Sequence, residues 1–261
     1  MASQLLDQVP TWLAPLLFAG AALLCYEVGF RVGRWYQRRT PGEQEGPTDM
    51  LVGSLLALMA FLLAVTMGMA SDRFDARRGL VLAEANAIAA AYLKADYLPD
   101  PAAGQLKGLL REYVPLRIFS GDTSQLATNL QRGAVLREQM WVIERDAARS
   151  GQSSDLISSL GDTLAELATL NQSRVVGALY ARVPEPLVIL LVFGSILSLG
   201  MVGYSAGLRE RRSVITAVVL VVAMGAVLML LIDIDRPQEG VINVSQQALI
   251  DVQGQIGSPS P

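Results

Sequence analysis

Four apolar stretches constrain the fold of this chain more than any other feature of its sequence. They cover residues 12–30, 50–70, 187–206 and 214–232, and Glu27 is the only charged residue within them. A helix of about 20 residues crosses the hydrocarbon core of a bilayer. The sequence therefore predicts an all-α, polytopic membrane protein with four transmembrane helices and a helical bundle inserted between the second and third.

The composition excludes several classes of function. The chain has no histidine and one cysteine, which removes histidine-based catalysis, histidine-ligated zinc and any intrachain disulfide. A formal net charge of −3 gives no electrostatic reason to expect a nucleic-acid partner. No phosphate-binding or nucleophile motif is present. We therefore expect a protein that is not an enzyme and that uses no cofactor and no metal.

Charge divides the chain into membrane and water-exposed parts. Thirteen of its 21 Lys and Arg residues and 14 of its 24 Asp and Glu residues lie between the second and third apolar stretches. The predicted parts are a first transmembrane helix with a basic loop (1–49), a second transmembrane helix (50–70), a water-exposed helical domain (71–186), a transmembrane hairpin (187–232) and a C-terminal tail (233–261).

Turn signals divide the water-exposed domain into about four helices. Proline, glycine and serine clusters occur at 99–101, 120–122, 150–152 and 184–186. No such cluster separates the second apolar stretch from the alanine-rich residues 83–95, so the second transmembrane helix is predicted to continue into the domain. In the tail, Ala248, Ile250 and Val252 indicate a short amphipathic helix.

The distribution of arginine predicts the orientation. Lys and Arg in short loops tend to remain in the cytoplasm. The two short loops contain seven arginines: Arg31, Arg34, Arg38, Arg39, Arg209, Arg211 and Arg212. We therefore expect a multi-pass protein of the cell's inner membrane, with the helical domain and both termini on the extracytoplasmic side.

Small residues form a stripe along the second span. Gly53, Ala57, Ala60, Ala64 and Gly68 follow one another at intervals of three or four. Such a stripe is typical of close helix packing in lipid. It is also compatible with a helix that lines a symmetric pore, whose bore Phe61 and Val65 would set and whose apolar constriction could gate by dewetting.

Charged residues follow this span directly. This charged collar consists of Asp72, Arg73, Asp75, Arg77 and Arg78. The spacing of Asp75 and Arg78 allows an ion pair within one helix. The collar is either a solvated ring beyond the lipid headgroups or, if several copies surround one axis, a vestibule that attracts anions.

Two further polar groups are candidate site residues. Glu84 and Asn86 interrupt the alanine-rich run, and we expect them in the bundle interior with interhelical hydrogen bonds. Asp233, Asp235 and Arg236 follow the fourth span. The two carboxylates suggest either a cation site or an ion pair with basic residues near the second span.

Several of these segments resemble the bestrophin-like family of bacterial membrane proteins. The resemblance covers most of residues 50–252. It is carried by residues 71–78 (SDRFDARR), 84–88 (EANAI), 91–93 (AYL), 203–204 (GY) and 232–237 (IDIDRP) with Gly240.

The family resembles, more distantly, the bestrophins, which are pentameric anion channels. That resemblance implies a homo-oligomer in the lipid bilayer that conducts small anions, with the second transmembrane helix lining the pore and Ala57, Phe61 and Val65 nearest its neck. Ala57 is small where these channels prefer bulky apolar residues. Bestrophins also keep their helical domain in the cytoplasm, opposite to the orientation that the arginines favour. The alternative is a membrane-anchored helical sensor or scaffold that acts through partner proteins.

Overall fold

The computed structural model describes residues 13–40, 46–118, 125–150, 154–179, 183–212, 214–235 and 242–257, and every regular element in them is helical. The elements are α1 (Leu13–Arg39), α2 (Gly46–Lys94), a 3-10 turn (Ala95–Tyr97), α3 (Ala102–Arg117), α4 (Leu126–Arg149), α5 (Ser154–Leu179), α6 (Glu185–Leu208), α7 (Val214–Asp235) and α8 (Gln247–Ile256). The all-α prediction is confirmed.

Four of these helices are long and apolar enough to cross a membrane: α1, α2, α6 and α7. Helices α2, α6 and α7 each contain one predicted span in full, and α1 covers the first span from Leu13 onward. Helix α2 is one unbroken helix of 49 residues, as the absence of breakers between the second span and the alanine-rich run predicted. The chain is a membrane protein, and it divides into two compact units.

The first unit comprises residues 1–73 and 182–242 and contains α1, the apolar half of α2, α6 and α7. Its core is formed by apolar side chains of all four helices, among them Phe18, Leu63, Leu191 and Leu228. Large side chains remain exposed on each helix. An apolar outer surface is what a unit surrounded by lipid requires.

Glycines bring α1 and α6 into backbone contact. A Cβ atom at Gly29 would overlap the carbonyl oxygen of Gly200, and one at Gly33 would overlap that of Tyr204. The later glycine of α1 meets the later residue of α6, so the two helices run parallel. Gly203 and Gly207 make the reciprocal approach, against the backbone of Tyr26 and Phe30. Dispersion and close packing are the main attraction between helices in lipid, so this contact is a principal source of stability for the unit.

The second unit comprises residues 74–181 and 243–261 and contains the rest of α2 with α3, α4, α5 and α8. Its core is a single cluster whose fully buried members come from every helix. They include Ile88, Leu106, Tyr113, Met140, Leu160, Leu167 and Leu249. Part of the predicted C-terminal tail (233–261), the segment from Asn243 onward, packs as part of this unit.

The short C-terminal helix forms as predicted, but its buried face differs from the expected one. Leu249, Val252 and Ile256 are buried, whereas Ile250 is 45% exposed. Residues three and four apart share a helix face, and Ile250 does not have that spacing from Leu249 or Val252. The Nε atom of Arg111 donates a hydrogen bond of 2.7 Å to the carbonyl oxygen of Ile256, which satisfies the end of α8 against α3.

Candidate pore helix and charge clusters

The apolar half of α2 contacts the rest of its unit along a narrow face. Met59, Leu63, Thr66 and Ala70 are buried, and their intervals of four, three and four place them on one side of the helix. The Thr66 hydroxyl donates to the carbonyl oxygen of Leu62, which satisfies it without a partner from another helix. In the most apolar part of α2, 17% of the residues are buried, compared with 39% in α6. Helix α2 is therefore the least covered of the four spans.

The three candidate pore residues lie away from the buried face of α2. Ala57 is exposed, as are Phe61 (64%) and Val65 (46%). Phe61 is two residues from both Met59 and Leu63, and each residue turns a helix by about 100°, which places Phe61 opposite the buried face. These side chains are available to a pore or to a second copy of the chain.

The stripe of small residues also lies on the uncovered side. Gly53, Ala57, Ala60, Ala64 and Gly68 are all exposed. No atom lies within 4 Å of an added Cβ at Gly53 or Gly68. Within the described part of the chain, these two glycines therefore bring no second helix into close packing.

The charged collar has a mixed environment. Asp72, Asp75 and Arg78 are exposed, Arg73 is half-buried and Arg77 is buried. The ion pair expected between Asp75 and Arg78 is not formed, although both residues are described. Because exposed pairs on one helix contribute only about 0.3–0.5 kcal/mol, hydration of the separated charges competes with pairing. Asp75 and Arg78 therefore present separate charges to solvent.

A buried charge cluster surrounds Glu84 in the second unit. The Glu84 side chain is fully buried and accepts a hydrogen bond of 2.6 Å from the Nε atom of Arg117. Arg174 donates to its other carboxylate oxygen, and the Tyr113 hydroxyl donates over 3.3 Å. Arg174 also donates to Gln246 Oε1 over 3.2 Å. One carboxylate thus connects α2, α3, α5 and the segment before α8.

The protonation state of Glu84 follows from this geometry. Its position, 14 residues or about 21 Å along the helix beyond Ala70, is outside the membrane-spanning stretch. Burial raises the pKa of the Glu84 carboxyl, but the charges and hydrogen bonds of Arg117 and Arg174 outweigh burial and hold its pKa below the ordinary value. Burial raises the pKa of Tyr113, which remains a neutral donor. The cluster is therefore a carboxylate held between two guanidinium groups.

Asn86 is placed differently from Glu84. The expectation that it faces the bundle interior is wrong for the single chain, because Asn86 is exposed. The two residues are separated by two positions, which on a helix places them on nearly opposite sides. A helix that buries Glu84 in the bundle therefore exposes Asn86.

The carboxylates after the fourth span bind backbone amides. The amide of Ile242 donates to Asp233 over 2.9 Å, and the amide of Val183 donates to Asp235 over 2.8 Å. Arg236, expected in the same cluster, lies outside the described residues. The described part of the chain contains no group of three Cys, Asp or Glu residues able to hold a metal ion. Asp233 and Asp235 therefore anchor the chain before α6 and after α7.

Sequence reasoning missed the ion pairs at the short-loop end of the first unit. Glu27 accepts from Arg31 over 3.0 Å and from Arg212 over 2.7 Å. Glu210 lies 3.7 Å from both Arg34 and Arg38, and Asp49 pairs with Arg209. The spacing of four between Glu27 and Arg31 was a visible signal, whereas the partners in the loop after α6 become neighbours only through folding.

The known proteins that are similar to this chain point to one family. A family model described as the Bestrophin-like domain matches residues 17–249. No curated protein matches the chain. A bacterial bestrophin homologue from Klebsiella pneumoniae with a tyrosine-to-alanine substitution is similar in structure, with a TM-score of 0.66 and 14% identity over 92% of this chain and 99% of that chain. A second crystal structure of a bestrophin homologue from K. pneumoniae is similar with a TM-score of 0.62 and 13% identity. The match covers 92% of this chain and 97% of that chain.

Proposed function

The chain belongs to the Bestrophin-like family, and we propose that it is an oligomeric anion channel in which the apolar half of α2 lines the pore. Several copies surround one axis, and each contributes α2 to the wall of a common conduit. Ala57, Phe61 and Val65 then face the axis at its narrowest part. The similarity to bestrophin homologues of known structure supports the arrangement of helices within each copy.

One observation carries this proposal: the face of α2 with Phe61 and Val65 is left uncovered by its own chain. Thr66 is the buried polar residue in this half of the helix, and its hydroxyl donates a hydrogen bond within the helix. The exposed side of this half of α2 carries the stripe of small residues together with larger apolar side chains, among them Leu58, Phe61 and Val65. Small residues let backbones approach a symmetry axis, and a ring of phenyl groups makes an apolar constriction that can exclude water when it narrows.

The charged collar supports anions as the transported ions. Per chain it holds three arginines and two aspartates, an excess of one positive charge that every copy repeats around the axis. Its exposed members are Arg78, Asp72 and Asp75, so this excess depends on half-buried Arg73 and buried Arg77. Arginine keeps its charge at any physiological pH and binds anions well. Exposed Arg78 is the member of this set best placed to raise the local anion concentration.

The membrane is the inner membrane of the cell, with the arginine-rich short loops on the cytoplasmic side. This orientation rests on the excess of arginine in those loops. It places the helical unit and both termini outside the cytoplasm. The channel would then present its collar to the extracytoplasmic side.

The mass of the detergent-solubilised particle, measured by light scattering, tests the oligomer, because a pore on a symmetry axis needs several copies. Chloride efflux from liposomes containing the purified full chain tests conduction, with protein-free liposomes as the control. We expect an oligomer and a chloride efflux that increases with the amount of protein. A monomer, or an oligomer that passes no anion, contradicts the proposal and favours a membrane-anchored sensor or scaffold.

A further inference from the structure

Exposed residues of α1 form a continuous stripe that changes from apolar to basic. Leu17, Leu24, Val28, Arg31 and Trp35 follow one another at intervals of seven, four, three and four, which places them on one side of the helix. The Leu17, Leu24 and Val28 side chains are each more than half exposed. In a helix that crosses a bilayer, such a face contacts lipid, and its polar end lies at the level of the headgroups.

The basic end of this stripe is built from an arginine stacked on tryptophan. The guanidinium carbon of Arg39 lies 4.0 Å from the ring centroid of Trp35, in cation–π contact. Trp35 is 53% exposed, and the Arg31 side chain is 78% exposed. Tryptophan is enriched where acyl chains meet headgroups, and arginine extends from that depth toward the polar layer.

The surrounding charge is positive. The described residues at this end of the first unit carry seven arginines and three carboxylates, an excess of four positive charges. The arginines are Arg31, Arg34, Arg38, Arg39, Arg209, Arg211 and Arg212, and the carboxylates are Glu27, Asp49 and Glu210. The connecting sequence adds Glu43 and Glu45, which leaves the balance positive.

We propose that Arg31, Trp35 and Arg39 form a binding site for the headgroup of an anionic phospholipid. The phosphate lies beside Trp35, where the Arg39 guanidinium donates to it. Arg31 pairs with Glu27 through its Nε atom over 3.0 Å, and its terminal nitrogens donate to the phosphate from the other side. The acyl chains run along Val28, Leu24 and Leu17. Arginine matches the geometry of phosphate oxygens, and its stacking on Trp35 holds Arg39 in place before lipid binds. The proposal does not depend on channel activity.

Native mass spectrometry of the full chain in detergent, titrated with phosphatidylglycerol or with phosphatidylcholine of the same acyl chains, tests this site. We expect the wild-type protein to bind phosphatidylglycerol more tightly. Replacing Arg31 and Arg39 with glutamine should weaken phosphatidylglycerol binding about 30-fold, since each basic residue near an anionic lipid surface contributes about a fivefold factor. Binding of phosphatidylcholine should remain unchanged.

A matched control removes two exposed arginines from the second unit, with Arg132→Gln and Arg149→Gln. It changes the net charge equally and should keep the preference for phosphatidylglycerol. Gel filtration establishes that both double variants keep the wild-type particle size. Equal binding of the two lipids to the wild-type protein overturns the proposal, as does a preference that survives loss of Arg31 and Arg39. Displacement of the lipid by millimolar inorganic phosphate would also overturn the proposal and would indicate a site for free anions.

Discussion

The Nε atom of Arg117 lies 2.6 Å from a carboxylate oxygen of Glu84, and both side chains are buried. Arg174 binds the other oxygen of the same carboxylate from a different helix. Without Glu84, Arg117 would be a costly buried cation and Arg174 a half-buried one, so the stability of the second unit depends on the single negative charge that they share.

Substitution of Glu84 with glutamine should destabilise this unit strongly. The change leaves buried Arg117 and half-buried Arg174 without a counter-charge, and loss of one partner of a buried ion pair costs about 3–5 kcal/mol. Denaturant unfolding of the full chain in detergent, followed by circular dichroism, measures the effect. Glu138 is exposed on α4, and Glu138→Gln should change the free energy of unfolding by less than about 0.5 kcal/mol. Equal effects of the two substitutions would show that the cluster adds nothing to stability.

Acid should destabilise the second unit through the same carboxylate. The pKa of Glu84 in the folded state lies below its ordinary value of 4.5. The contribution of Glu84 to stability is therefore fully present above pH 4.5 and is lost as the pH falls from there through the folded pKa. Midpoints of thermal unfolding measured between pH 7 and pH 3 should fall less steeply for Glu84→Gln than for wild type. Parallel pH profiles would contradict the assignment.

Substitution of Gly203 with alanine should separate α1 from α6. The added methyl group would overlap the backbone of Tyr26, which cannot move aside as a flexible side chain can. Overpacking of this kind costs about 1–3 kcal/mol. Gly20→Ala is the matched control, because no atom lies within 4 Å of its added Cβ. Thermal unfolding in detergent should distinguish the two, and an equally stable Gly203→Ala protein would refute the close contact.

Removal of the Phe61 ring should increase anion flux. If Phe61 forms the apolar constriction, Phe61→Ala widens the narrowest part of the pore and raises chloride efflux from liposomes severalfold. Phe193 on α6 is also 64% exposed and provides a matched aromatic control. Phe193→Ala should leave efflux at the wild-type rate. Identical changes in efflux for both variants would contradict the assignment of Phe61 to the pore.

Fusions at the C-terminus should reveal the orientation. Alkaline phosphatase attached after Pro261 is expected to be active and a fluorescent protein there to be dark, because the arginine-rich loops favour the cytoplasm. The opposite pair of results would place the helical unit in the cytoplasm, as in the bestrophins that the chain resembles.

The spans could be predicted from sequence because crossing a membrane imposes a length and an apolar composition that no tertiary contact needs to supply. The continuation of α2 beyond the second span was predictable for a similar local reason, the absence of breakers. Family membership, predicted from short matches within residues 50–252, is confirmed by the family model.

Contacts between residues that are distant in sequence were not predictable. Arg117 and Arg174 are 33 and 90 residues from Glu84 in sequence, and only the packing of three helices brings them together. The uncovered face of α2 also depends on the fold, since nothing local distinguishes Phe61 from Met59 as the exposed residue. The contact between α1 and α6 did have a signal, because Gly29 and Gly33, like Gly203 and Gly207, are four residues apart.

The parallel contact of α1 and α6 also constrains how the chain enters the membrane. The two helices run in the same direction and touch through Gly33 and Tyr204. The chain between them must therefore cross the membrane an odd number of times. Inverting one of the two helices alone during biosynthesis would lose every glycine contact between them. A sequence change that reverses the protein must therefore reverse both hairpins together, because a mixed topology loses the contact between Gly33 and Tyr204.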